Sequence, residues 1–187
     1  MAHSAPYSLD DLFAMPDDGS RYEVLDGQLI VSPAPSVRHQ VVGDRLRTLL
    51  AERAPSGVLV VTAAAVRCGD DSPAMIPDIV VAQGPLDSVG RQFDASAVLA
   101  VVEVVSPSTR RTDRVTKPAV YAAAGIPTFW RVELDSFRGE ADDELPLVLV
   151  YRLNGETYEL VTRLPAGTPG TVSVPYPLRL DPAALLA

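Results

Sequence analysis

The apolar positions change period along the chain, and each change predicts an element. Ser8 followed by Leu9 to Met15 reads as a short capped helix that Pro16 ends. Tyr22–Leu25 and Gln28–Val31 flank Asp26-Gly27, the kind of dipeptide that two-residue hairpins favour. After Pro33 and Pro35, Ser36 is placed to cap a helix whose Val42, Leu46, Leu49 and Leu50 recur at helical spacing. Val58–Val66, Ile76–Ala82 and Val98–Val105 read as strands, and the last is so nearly all apolar that it belongs at a sheet centre. A second helix is expected over Asp113–Ala124, closed by Gly125. Pro118 is tolerable only near its first turn, so that opening turn should be irregular. Thr128–Leu134 adds a strand, and Leu147–Leu153 with Thr157–Thr162 around Asn154-Gly155-Glu156 forms a second hairpin. The acidic stretch Glu140–Glu144 reads as a solvated loop. Helix, hairpin, helix, strands, helix, strands is the order of one α/β domain with a mixed sheet, residues 1–187.

Composition narrows the function classes. Cys68 is the single cysteine among 187 residues, so a disulfide scaffold is excluded. No apolar run approaches the roughly 20 residues that span a bilayer, and the N-terminus lacks a signal-peptide pattern. The expectation is a soluble cytoplasmic protein without a membrane partner. A net charge of −8 argues against a passive nucleic-acid coat but not against an enzyme that meets nucleic acid locally. The bases gather in one place, Arg110, Arg111, Arg114 and Lys117, which is where an anionic partner is expected to dock. No Gly-rich phosphate loop, dinucleotide fingerprint or nucleophile elbow is present. His3 and His39 are the only histidines, too few with one cysteine for a zinc site.

What remains is a set of carboxylates in apolar surroundings. Asp78 lies in Met75-Ile76-Pro77-Asp78-Ile79-Val80-Val81, and Glu103 has two valines on each side. A bare buried carboxylate costs several kcal/mol, so each needs a cation, a hydrogen-bonding shell or a proton. Each on its own also reads as a strand-end acid facing solvent, or as half of a structural ion pair. Together on neighbouring strands they would repel unless a divalent cation lay between them, and hard oxygen ligands favour Mg²⁺ or Mn²⁺. Lys117 is the only lysine beside fifteen arginines. It follows Asp113 by four residues, so the two share a helix face. An exposed helical pair of that kind contributes only about 0.3–0.5 kcal/mol. A compact ammonium, however, can reach a phosphate oxygen or a water where a guanidinium fork cannot.

These residues, taken in order, resemble the Uma-two family, restriction-endonuclease-like proteins of the PD-(D/E)XK nuclease superfamily. The match is carried by Arg21-Tyr22-Glu23-Val24-Leu25-Asp26-Gly27, His39, Pro77-Asp78-Ile79-Val80-Val81 and Val102-Glu103-Val104-Val105-Ser106-Pro107-Ser108-Thr109. It continues through Asp113, Lys117, Tyr121, Gly125-Ile126-Pro127 and Phe129-Trp130-Arg131-Val132. The resemblance implies a restriction-endonuclease-like core, a central mixed β-sheet flanked by helices, with an added N-terminal hairpin and C-terminal strands. It implies a Mg- or Mn-dependent endonuclease of DNA, with RNA left open; cutting both strands with one site per chain would call for a homodimer. Carried over by residue, Asp78, Glu103 and the carbonyl of Val104 are the expected metal ligands, and Asp78, Glu103 and Lys117 the catalytic set. The superfamily's lysine two positions after Glu103 is Val105 here, and the amine is expected from Lys117 instead. Glu23, His39 and Asp113 are further site candidates. Glu23 reads equally as a hairpin surface acid, and His39 as a helix-end cap. Ser106, Ser108, Thr109, Arg110 and Arg111 are expected to grip phosphates. The alternatives are a catalytically weak or inactive member that binds nucleic acid or regulates, and a structural cluster of ion pairs.

Overall fold

A computed structural model describes residues 6–25, 27–69, 74–136 and 143–187. His3, Asp26 of the first turn and the 140–142 part of the acidic stretch lie outside the described residues. Helix α1 (Leu9–Phe13) starts at Ser8, whose hydroxyl accepts from the Asp11 N–H while the Asp11 carboxylate accepts from the Ser8 N–H. Strands β1 (Arg21–Leu25) and β2 (Gln28–Ser32) form the antiparallel hairpin the sequence predicts. Helix α2 (Val37–Arg53) begins where Ser36 Oγ accepts from the His39 N–H.

The next segments depart from their expected bounds. Strand β3 (Val58–Thr62) stops four residues before Val66, because Ala63 takes a positive φ of 49° that breaks the extended backbone. Short strands β4 (Val66–Arg67) and β5 (Ala74–Met75) follow, then β6 (Ile79–Gln83). Strand β6 starts three residues after Ile76, since Pro77 has no N–H to donate to a ladder. After β7 (Phe93–Asp94), strand β8 (Val98–Val105) has the bounds its valine run predicts. A π-helical turn (Thr112–Thr116) leads directly into α3 (Lys117–Ala123). This is the irregular opening that Pro118 requires, with the Lys117 N–H bonded to the Thr112 carbonyl five residues back. Strands β9 (Thr128–Glu133), β10 (Leu147–Asn154), β11 (Thr157–Leu164), β12 (Gly170–Val172) and β13 (Leu178–Leu180) complete the chain.

The main sheet has the order β11-β10-β9-β8-β6-β3, with β8 and β9 parallel and the other pairs antiparallel. Alternation along β8 divides it between two cores. Val102 and Val104 pack with Val42, Leu46 and Leu50 of α2 and with Trp130. Val101 packs on the other face with Val80, Phe129 and Tyr121 of α3. Glu103 shares the parity of Val101, so it enters the α3 face. That placement makes the site.

Candidate active site

Asp78 and Glu103 meet because their strands are neighbours. Extending the β6–β8 register of Ile79 with Val102 by one residue sets Asp78 opposite Glu103. Opposite residues of an antiparallel pair project to the same face. Glu103 is 0 % exposed. The Tyr121 hydroxyl donates to its Oε1 at 2.6 Å, and Lys117 Nζ lies 3.1 Å from the same oxygen. Its Oε2 is buried with no hydrogen-bond partner among the described residues. Asp78 Oδ2 accepts from the Val104 N–H at 2.7 Å and lies 3.2 Å from His39 Nε2. Arg21 Nη2 approaches Asp78 Oδ1 at 2.6 Å.

Lys117 is 1 % exposed and sits among three carboxylates. Its Nζ is 3.0 Å from Glu23 Oε1, 3.1 Å from Glu103 Oε1 and 3.4 Å from Asp113 Oδ1. Glu23 is fixed by the Ile76 N–H at 3.0 Å, and Asp113 by the Thr109 hydroxyl. Their four-residue spacing puts Asp113 and Lys117 on one face of this helical segment, and that face is buried. The exposed helical pair, the hairpin surface acid and the plain helix-end cap are therefore not what the fold makes of Asp113–Lys117, Glu23 and His39. All four are buried.

The two central carboxylates are pushed apart in acidity. Burial works to raise Asp78, but the His39 hydrogen bond and the charges of Arg21, His39 and Lys117 hold it well below the usual carboxylate range. Burial drives Glu103 well above that range, with only Lys117 opposing and Asp113, Asp78 and Glu23 adding to the rise. Burial also raises Asp113, against the pull of Lys117 and the Thr109 hydroxyl. Lys117 loses to burial but gains more from Glu103, Glu23, Asp113 and Asp78, so its ammonium is held above the usual lysine range. Three carboxylates lie within 3.4 Å of this ammonium.

The expected phosphate-gripping residues divide. Ser106 Oγ lies 2.8 Å from Thr109 Oγ1 and 3.0 Å from Ser108 Oγ. These hydroxyls line a cavity of about 230 Å³ together with Val104, Asp78, His39 and Arg21. Arg110 and Arg111 are exposed and lie outside that lining. The four-base cluster read from the sequence does not form one docking face. Arg114 turns to Glu133, at 2.9 and 2.6 Å, and Lys117 turns inward.

Arg21 and Tyr121 hold the two central carboxylates, yet the sequence reading carried them only as matched positions. A signal for each was present. Arg21 is two residues from Glu23, so a strand puts both on one face, and Tyr121 is four residues from Lys117 on a helix.

A divalent cation fits this donor set by chemistry. The oxygens are hard, and Glu103 Oε2 is a buried acceptor with nothing to accept from. Among the described residues, no three His, Cys, Asp or Glu side chains are already grouped to hold a metal. A site here would thus rest on two carboxylates, a backbone carbonyl, water and substrate, the mixed shell that Mg²⁺ tolerates.

A six-stranded mixed sheet with this acid–lysine cluster at the end of β6 and β8 defines a restriction-endonuclease-like α/β protein. The chain belongs to the Uma2 family, described as "Putative restriction endonuclease", whose model matches residues 9–182. A crystal structure of a "putative nuclease belonging to DUF820" from Anabaena variabilis superposes with a TM-score of 0.67 at 18% identity. The match covers 91% of this chain and 90% of that one. No curated protein matches the sequence significantly. Among the described residues, no helix is long and apolar enough to cross a membrane.

Proposed function

We propose that the protein is a metal-dependent endonuclease that hydrolyses phosphodiester bonds of DNA. The observation that carries this reading is the convergence of Asp78, Glu103 and Lys117 from two adjacent strands and the following helix. Asp78, Glu103 and the Val104 carbonyl would hold Mg²⁺ or Mn²⁺. When bound, such an ion supplies an acidified water and offsets phosphate charge. Arg21 and His39, beside Asp78 at the cavity, are placed to donate to a phosphate oxygen. Lys117 keeps its proton and fixes Glu23, Glu103 and Asp113 around one ammonium. Ser106, Ser108 and Thr109 offer hydroxyls to the flanking backbone, which orients a strand without reading its sequence.

Plasmid nicking with Mg²⁺ or Mn²⁺ should disappear in Asp78→Asn, Glu103→Gln and Lys117→Met. Calorimetric metal titration should give heat with the wild type and none with Glu103→Gln. Equal residual nicking in all three variants, or equal heat in both proteins, removes the reading. A second reading draws on the ion pairs themselves, since Lys117 and Arg21 already neutralise carboxylates without any metal. In that case the fold acts as a nucleic-acid-binding or regulatory module, and binding is indifferent to Glu103→Gln.

A further inference from the structure

Two cavities join at the candidate active site. The smaller is the hydroxyl-lined recess of about 230 Å³. The larger, about 640 Å³, shares Arg21, His39 and Asp78 with it and runs on past Phe13, Met15 and Tyr22. Arg21, His39 and Asp78 line both lobes of this cleft, with Asp78 only 6 % exposed. A base that is paired and stacked in a duplex has no free face to lay in a lobe of this kind. An unpaired nucleotide can rotate out of the stack and enter.

The two lobes differ in chemistry. Beyond Arg21, His39 and Asp78, the larger lobe has one charged lining residue among those described, the acid Asp44. It repels a phosphate but admits a neutral base. The Phe13 ring lines it, and the Arg91 guanidinium covers one face of that ring at 3.8 Å from its centroid, which leaves the other face for a base. The smaller lobe has the hydroxyls of Ser106, Ser108 and Thr109, which suit a sugar-phosphate backbone.

We infer that the cleft takes one unpaired nucleotide, its phosphate at Arg21, His39 and Asp78 and its base in the larger lobe against Phe13 and Tyr22. The substrate class is then single-stranded or locally unpaired nucleic acid. This inference deepens the nuclease reading and rests on it for the reaction, but the binding it describes is measurable without cleavage.

The probe is a twelve-nucleotide DNA strand with a central 2-aminopurine, free or in a blunt duplex, titrated with the full chain without metal. The free strand's fluorescence should fall on stacking, and the duplex should need at least tenfold more protein. Phe13→Leu, which keeps apolar volume in α1 but removes the ring, should weaken the response about tenfold, and Phe13→Trp should restore it. A melting curve on each variant confirms that it is folded. With Mg²⁺, the free strand should be cut at least tenfold faster than the duplex. Equal response or equal cutting of strand and duplex overturns the inference while leaving the nuclease reading intact. Absence of cutting in every form overturns the nuclease reading, and the fluorescence titration then still decides the cleft.

Discussion

Glu103 and Glu133 are both fully buried acids on adjacent strands, yet the molecule equips them in opposite ways. Glu133 receives the fork of Arg114 on both oxygens and has Arg131 Nε 2.9 Å from Oε1. Glu103 receives a lysine and a tyrosine on one oxygen and, among the described residues, nothing on the other. A guanidinium fork matches a carboxylate edge to edge and uses up its lone pairs. An ammonium is a point charge that neutralises without saturating. Burial of an acid therefore does not by itself leave a lone pair open; the valence of its partner does.

The sharpest way to break this comparison is the same conservative change on both sides. Glu133→Gln leaves Arg114 and Arg131 without their charged partner and should cost about 3–5 kcal/mol in urea unfolding. Nicking by the folded fraction should persist. Glu103→Gln should reverse the pattern, ending metal heat and nicking while the fold holds. If the two variants lose the same property, the distinction between saturated and open acids fails.

The pH dependence of melting sharpens the point. Glu103 is raised in the folded state, so its contribution is complete below its unfolded value of about 4.3 and declines as pH rises through its folded value. Asp78 is depressed, so its contribution is present above about 3.9 and is lost as pH falls towards its folded value. Wild type and Glu103→Gln should thus melt together near pH 4, with the variant melting progressively higher towards pH 8. A constant offset across that range contradicts the open acid. Asp78→Asn should melt below the wild type at pH 7 and converge with it on acidification.

The smallest effect concerns the tyrosine that helps position Glu103. Tyr121→Phe removes one hydrogen bond to a carboxylate and should cost about 1.5 kcal/mol, read by denaturant midpoint. Lys117 still holds the same oxygen, so metal heat should survive.

These contrasts explain which parts of the fold and site the sequence discloses. The valine run of β8, the caps at Ser8 and Ser36 and the hairpins are local signals, and their elements form where expected. Strands β12 and β13 have three residues each and follow no readable period, and β4, β5 and β7 have two. They exist because tertiary neighbours supply partners. Asp78 and Glu103 are legible because a carboxylate inside an apolar run is conspicuous. Arg21 is not, because an arginine at the start of a hairpin strand looks like surface. The grouping of Arg110, Arg111, Arg114 and Lys117 misleads for a related reason: sequence proximity does not fix azimuth around a helix, and two of the four turn inward.

The π-helical turn before α3 has a consequence for how this protein tolerates insertion and deletion. One residue beyond an ordinary α-helical hydrogen-bonded turn is carried between the Thr112 carbonyl and the Lys117 N–H. Removing it would rotate everything upstream by about 100° relative to α3, at 3.6 residues per turn. Asp113 would shift to the other flank of Lys117, three residues away instead of four, and the Ser106–Thr109 turn that holds it would swing with it. The site is thus indexed to chain length within five residues as strictly as to residue identity. A one-residue gap there would separate members of this fold that keep the cluster from those that do not.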